Sequence, residues 1–403
     1  MSIACKDMEK KHLKRLPVGI QNRWNSKEVL RMKRISWRRY ISMLAFWAVG
    51  LLLAAQTLTV GPFQAGHCQG IAVDEQRGHI YLSFTTLLVK TDRQGKLLGS
   101  VTGLIGHLGC LTFNEADGRV YGSLEYKMDE IGRGILKQEG VQQQLPNAWY
   151  IAIFDGEKIT REGMDYTEPG VMQAVYLPTV VADYEATVEG RAHRYGCSGI
   201  DGVSFGPSFG EADGKRYLTC AYGIRGDTTR TDNDYQVLLQ YDISDWPTRY
   251  ERPLGQENLH QSGPLRPAGT YFVYTGNTNW GVQNLTYDAR HHWWMLFVYR
   301  GMKRHFNNRT LYVVDGSVAP RETELKGMPR GEKGQTLSLL PQGLYDERTG
   351  IYGWESPYGS FGAAALGDGS FYLVHPTSVK EGAELHRYEW TGDTPIPFKE
   401  PSE

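Results

Sequence analysis

Residues 58–403 read as all-β, a single β-propeller of five four-stranded antiparallel blades, on three observations. First, "GHCQGIAVDEQRGHIYLSF", Gly66 to Phe84, is written again as "GHLGCLTFNEADGRVYGSL", Gly106 to Leu124. Second, stretches of the same grammar begin at Asp201, Gln283 and Gln342. Third, helix signals are nearly absent from this region, while the chain carries 47 Gly, 24 Tyr and 10 Trp, a composition suited to strands joined by tight turns.

Each repeated stretch opens on a small or polar residue, runs through a strand-suited segment, turns on Asp, Gly and Arg, and returns through an aromatic-rich strand. That is hairpin grammar. Two short alternating runs follow each of the first four hairpins: "LLVKTD" and "KLLGSV"; "WYIAIFDG" and "KITREGM"; "VLLQYDIS" and "TRYERPL"; "TLYVVDGS" and "RETELKG". Four strands per repeat, apolar in the first three and charged in the last, make a blade whose outer edge stays polar. The hairpin openings at 69, 109, 201, 283 and 342 give five blades. In a six-bladed alternative, "GAAALGDGSFYLVHP" from Gly362 is a further inner hairpin. "TLTVGPF", from Thr57, completes the last blade and closes the ring. Blade spacing is uneven, with insertions after blades 2 and 3 long enough to be expected to build the rim of a pocket.

The N-terminal region is different in kind. Residues 1–40 form a basic segment, with Arg31, Lys33, Arg34, Arg38 and Arg39 just before an uncharged run, "ISMLAFWAVGLLLAAQTLTV". Residues 41–57 therefore read as a cleaved signal peptide, ending near Ala55-Gln56, or as a membrane anchor through residues 41–60. Either reading exports the remainder. Because "MKRISWRRY" at Met32 already resembles a signal-peptide start, residues 1–31 read as an over-long gene start. A formal charge of -1 offers no phosphate-neutralising surface, so no nucleic-acid partner is expected. Four of the five cysteines, Cys68, Cys110, Cys197 and Cys220, lie after the apolar run. They allow two disulfides in three connectivities, or four buried thiols. Cys68 and Cys110 are two positions out of register, and no bond is expected between them.

Aligning the inner hairpins yields a polar column at the strand openings: Gln69, Gly109, Asp201, Gln283 and Gln342, with Asn284 in the next column. Inner strands of a propeller converge on its axis, so these side chains are expected at one mouth of the channel. His67 and His107 stand two residues earlier in blades 1 and 2, as an acid–base pair, metal ligands or structural histidines. Glu125 and Glu355 sit near the ends of second strands. With Asp201 they are the raw material for glycoside hydrolysis, which needs one protonated and one ionised carboxyl. The insertion residues His193 and Arg194, with the aromatics Tyr222 and Trp280, are candidates for binding substrate. Asp232-Asn233-Asp234 offers oxygen ligands with which calcium is possible, without a calcium-hand loop; the metal and cofactor are otherwise open.

The blade pattern resembles the five-bladed propellers of secreted glycosidases and of glutamine cyclotransferases. "HCQGIAV" resembles the cyclotransferase phrase in which Gln-Gly-Leu opens the first inner strand. That family continues with a Glu-Ser-Thr-Gly type segment on the second strand, where this chain has "SFTT", Ser83 to Thr86. The expected function is an exported carbohydrate-active enzyme, a glycoside hydrolase or lyase with its site at the channel mouth, taking a glycan or small-molecule ligand. The alternatives are a non-catalytic ligand- or protein-binding propeller and a cyclotransferase-like enzyme. Oligomeric state is not legible.

Overall fold

Five strands ring a common axis: Cys68–Asp74, His79's partner in blade I; His107–Asn114 in blade II; Cys197–Pro207 in blade III; Asn279–Asp288 in blade IV; and Ala363–Ala365 in blade V. The structure, a computed structural model, describes residues 57–255, 259–376 and 382–401. Each inner strand starts an antiparallel meander running outward. Blade I continues through His79–Phe84, Leu87–Asp92 and Leu97–Thr102, and blade II through Arg119–Tyr126, Ala148–Asp155 and Met172–Tyr176. Blade III adds Arg216–Ile224, Tyr235–Tyr241 and Gly269–Tyr274, while blade IV adds Trp293–Tyr299 and Leu311–Asp315. In blade V, Ser370–His375 and Ala383–Trp390 are followed by Leu58–Val60 from the start of the domain, so "TLTVGPF" does close the ring.

The core is partitioned as the ring requires. Five clusters of buried apolar side chains fill the five interfaces between neighbouring blades. Blades II and III, for example, meet through Trp149, Ile151, Ile200 and Leu239, all essentially inaccessible. Cys110, Cys197 and Cys220 belong to this cluster and Cys68 to the one between blades V and I. All four are buried free thiols. Burial pushes the Cys68 thiol up to about 12 and that of Cys110 to about 11, so both are inert neutral groups.

Several outer elements differ from the sequence expectation. The fifth inner hairpin is the one from Gly362, not the one at Gln342. Leu344–Asp346 and Ile351–Gly353 pair with each other and attach to the third strand of blade IV through the Leu311–Trp354 bridge, so that hairpin is peripheral. "KITREGM" is not the fourth strand of blade II: Met164–Asp165 adds in parallel to the edge of blade I. "TRYERPL" begins in a short helix, Trp246–Arg249, and Gly269–Tyr274 takes the fourth place in blade III. "RETELKG" contributes Arg321–Glu324, which pairs with Lys333–Thr336 and extends blade III rather than blade IV. Outermost strands bury one face weakly, so their composition constrains them least. The basic segment 1–40 and nearly all of the apolar run lie outside the described residues. Among the described residues no helix is long and apolar enough to cross a membrane.

Candidate functional site at one channel mouth

Four of the inner strands carry a β-bulge at the same level. The ladder skips Gln69 in blade I, one residue of the Gly109-Cys110 pair in blade II, one of Asp201-Gly202 in blade III, and Gln283 in blade IV. A bulge inserts one unpaired residue and re-aims its side chain. The polar column read from the repeats is this row of bulges, and Gln69, Asp201 and Gln283 are thereby turned into a cavity of about 260 Å³. His67 and His107 line it too, as do Glu125, Trp280 and five groups the sequence reading did not assign to it: Lys127, Tyr299, Ser198, Ile131 and Thr85.

Its centre is a charged cluster. Glu125 is 3% exposed and lies directly across the strand pair from His107. One carboxylate oxygen crosses to blade III and accepts the Ile200 N–H at 2.8 Å. The crossing needs Gly199, at φ +122°, because a Cβ there would lie 2.2 Å from Glu125 Oε1. Its other oxygen faces the Lys127 ammonium at 2.6 Å, and Lys127 Nζ also donates to the Ser198 carbonyl at 3.1 Å. Lys127 follows Glu125 by two residues, one past the end of the strand Arg119–Tyr126, and that spacing is the signal that could have revealed the lysine. Asp201 accepts a longer bond from Gln283 Nε2 at 3.3 Å, and Gln283 is itself fixed by the Trp280 carbonyl at 2.9 Å.

These surroundings separate the charge states. Burial, then the Glu125 charge, push the Asp201 carboxyl from its ordinary 3.8 up to about 8. Burial pushes Glu125 upward as well, but Lys127 and the Ile200 amide oppose it. Of the two neighbouring carboxyls, the one holding an ammonium and an amide N–H keeps the negative charge, and Asp201 keeps the proton at neutral pH. Burial opposes the Lys127 charge, yet Glu125 and Asp201 hold its pKa above the ordinary value. His107 is lowered to about 3, by burial first and then by Lys127 and His67, so its ring is neutral. Burial lowers His67 also; its Nε2 lies 3.1 Å from Gln69 Nε2.

Below this level the channel is shut. A Cβ on Gly70 would come within 2.6 Å of the Cys110 Cα, so blades I and II touch backbone to backbone. Ser83 donates to the Gly109 carbonyl at 2.5 Å. Asn284, fully buried, ties blade IV to the Gln69 and Ser360 carbonyls at 3.0 and 3.1 Å. Asn284 is therefore a clasp beneath the cavity rather than part of its lining. Ser83 occupies the place where the cyclotransferase resemblance requires a carboxylate.

The remaining candidates lie elsewhere. Gln342 is exposed on the peripheral hairpin. Glu355 follows that hairpin and pairs with Arg300 and with Arg309, the latter at 3.0 Å. Tyr222 is buried between blades II and III with its hydroxyl donated to Asp183 at 2.7 Å. Arg194 pairs with Glu332 at 2.6 Å, and the His193 ring packs on Tyr184. None of the five lines the cavity. Of the long insertions, the one after blade 2 packs Val180 and Tyr184 of Pro178–Glu185 into the core between blades II and III, while the one after blade 3 ends on Trp280, which is 38% exposed and forms part of the rim. Ile131 on the helix Glu130–Gln138 forms another part.

Two sets of side chains among the described residues have cation-ligand spacing: His107, Glu125 and Asp201, and His375, Glu384 and His386. In the first, the Lys127 ammonium already supplies the counter-charge. In the second, the His375 and His386 rings stack in parallel at 3.7 Å, so their in-plane lone pairs do not converge on one point. At Asp232-Asn233-Asp234 the cation is a lysine. Buried Lys303 donates to Asn233 Oδ1 at 2.7 Å, to the Arg230 carbonyl at 2.6 Å and to Asp234, while Asp232 is taken by Arg230. The oxygen set proposed for calcium is thus occupied by protein groups.

No protein-family model matches the chain, and no curated protein matches it in sequence. Solved structures do. A GH43 β-1,3-galactosidase bound to galactodeoxynojirimycin is 10% identical, with a TM-score of 0.40 over 86% of this chain and 97% of that one. The PQQ domain of a pyranose dehydrogenase from Coprinopsis cinerea is 11% identical, with a TM-score of 0.36 over 79% and 81%. Hydrazine synthase from Kuenenia stuttgartiensis is 11% identical, with a TM-score of 0.35; the match covers 76% of this chain and spans 64% of that chain's length. Likeness at this level carries no argument about chemistry, which has to come from the cavity.

Proposed function

We propose that the protein is an exported glycoside hydrolase that removes single sugars from the ends of glycans or small glycosides. One observation carries the reading: two carboxyls, Glu125 and Asp201, share a cavity in which their environments drive one to hold a charge and the other a proton. That is the division of labour glycoside hydrolysis requires. Asp201 protonates the departing oxygen, Glu125 stabilises the developing positive charge, and Gln69 and Gln283 provide amides for sugar hydroxyls. Trp280 offers a ring face at the rim. The cavity is blind, because Gly70, Cys110 and Asn284 close the channel beneath it, and its volume suits one sugar ring rather than a threaded chain. Export is the reading of the N-terminal run.

The test is a panel of aryl glycosides, assayed by aryl release and by product analysis, with Asp201→Asn as the control. Release of a single saturated sugar, lost by two orders of magnitude or more in the variant, is expected. Unsaturated sugar products would point to a lyase. Binding without turnover would make the propeller a ligand-binding module.

A further inference from the structure

We infer that the substrate is a glycoside whose leaving group is apolar, an aryl or alkyl alcohol rather than a second sugar. The inference rests on the hydrolase reading above and adds the chemical class of the group that departs. Its basis is the way polarity is distributed over the cavity. Ile131 and Trp280 are the two lining side chains that are exposed, Ile131 by 42%. Every other one is buried or half-buried and carries a hydroxyl, amide, imidazole or charged group. The pit is polar and its mouth apolar, the reverse of the ordinary preference for polar groups toward water. A complementary ligand has a hydroxyl-rich head and an apolar tail. A second sugar at the mouth would need hydrogen-bonding partners for its hydroxyls, and the Ile131 side chain supplies none.

The fold holds both rim side chains in place. Trp280 has φ +66°, a left-handed conformation that a bulky aromatic residue rarely adopts. It is fixed there twice over. Its carbonyl accepts from Gln283 Nε2 at 2.9 Å, and at the following Gly281, φ +73°, a Cβ would lie 2.3 Å from the Tyr222 carbonyl oxygen. Strained backbone persists only where its surroundings over-determine it, and ligand clamps are one place where it gathers. The same Gln283 amide reaches Asp201 at 3.3 Å, so one side chain holds both the rim aromatic and the acid that protonates the departing oxygen. Ile131 comes from blade II, in the first turn of the helix Glu130–Gln138, whose start is fixed by the Asp129 carboxylate accepting the Gly132 N–H at 3.0 Å. Ile131 and Ile135 lie one turn apart on one helix face. Ile135 is buried, and Ile131 carries that apolar stripe out to the cavity mouth. The sugar hydroxyls accordingly face Gln69, Thr85, His107 and Tyr299 in the pit, and the leaving group runs out past Asp201 onto Ile131 and Trp280.

The experiment uses the full chain and the sugar of whichever aryl glycoside it turns over, presented as its benzyl glycoside, its methyl glycoside and a disaccharide. Benzyl alcohol and methanol are almost equally acidic, so the ratio of their kcat/KM values reads contact with the leaving group rather than the ease of breaking the bond. A ratio of about tenfold or more in favour of benzyl is expected. The disaccharide is expected to be poorer than the benzyl glycoside, although its leaving hydroxyl is the more acidic. Trp280→Ala and Ile131→Ser are each expected to lower the benzyl-to-methyl ratio, and the double variant to bring it close to one. A wild-type ratio near one, a disaccharide preferred to the benzyl glycoside, or a preference that survives in the folded double variant overturns the inference and leaves the hydrolase reading intact. Binding without turnover overturns the hydrolase reading, and the same comparison made on Kd by calorimetry then decides the inference. Neither turnover nor binding across the panel overturns both. Should the double variant fail to fold, the wild-type ratio and Ile131→Ser, at an exposed helix position, still decide.

Discussion

Replacing Asp201 by Asn is expected to abolish turnover and, above neutral pH, to make the protein more stable. The reasoning starts from the raised carboxyl. Asp201 moves from an ordinary 3.8 in the unfolded chain to about 8 in the fold, because burial and the neighbouring Glu125 charge penalise its ionised form. A folded-state pKa above the unfolded one means that the native state binds the proton more tightly. The group's stabilising contribution is complete below the unfolded pKa and is lost as pH rises through the folded one. Asparagine keeps the shape of the protonated acid and does not titrate. That displacement, at about 1.36 kcal/mol for each tenfold change in proton affinity, sets a ceiling of roughly 5–6 kcal/mol on the stability lost by wild type. Asp201 keeps part of its surface on the cavity, and solvent screening there reduces the expected change to about 2–3 kcal/mol. The assay is urea unfolding of both proteins at about pH 4.5 and about pH 8.5, where groups common to the two cancel in the difference. The variant is expected to gain on wild type by that amount between the two conditions. Parallel profiles, with the difference changing by less than about 0.5 kcal/mol, would mean that Asp201 is ionised throughout, and its role as the acid would fall.

Two further substitutions test the frame around the site. Gly70→Ala places a Cβ within 2.6 Å of the Cys110 Cα and the Leu111 nitrogen, so blades I and II must part. A loss of about 2–3 kcal/mol in thermal or urea unfolding is expected, and an unchanged midpoint would show that the channel is not closed there. Lys303→Met leaves Asp234 buried without its ammonium, at an expected cost of about 3–5 kcal/mol, with partial recovery in the double variant carrying Asp234→Asn. Added calcium is expected to leave the wild-type midpoint unchanged; a rise on calcium binding at residues 232–234 would contradict the lysine cage.

What the sequence determined by itself is the repeating part of the molecule. The doubled stretch at Gly66 and Gly106 fixed the first two inner hairpins, because an inner strand is buried on both faces and its apolar run, turn and aromatic return cannot drift far. Alignment of those hairpins also found Gln69, Asp201 and Gln283, since a bulge recurs at the same place in blades I to IV and three of the four carry a polar residue there. The strand Leu58–Val60 closing the last blade was legible for a similar reason. Tertiary structure decided the rest. Which hairpin is innermost in the last blade depends on neighbours, so the Gln342 stretch and the Gly362 stretch looked alike until Trp354 was bridged to Leu311. Glu125 and Glu355 both close second strands in the sequence, yet one meets Lys127 and the Ile200 amide across a blade boundary and the other meets two surface arginines. The proton on Asp201 is the furthest from sequence of all. It exists because burial and a second carboxylate, contributed by a strand more than seventy residues earlier in the chain, act on it together, and only folding brings those two causes to one place.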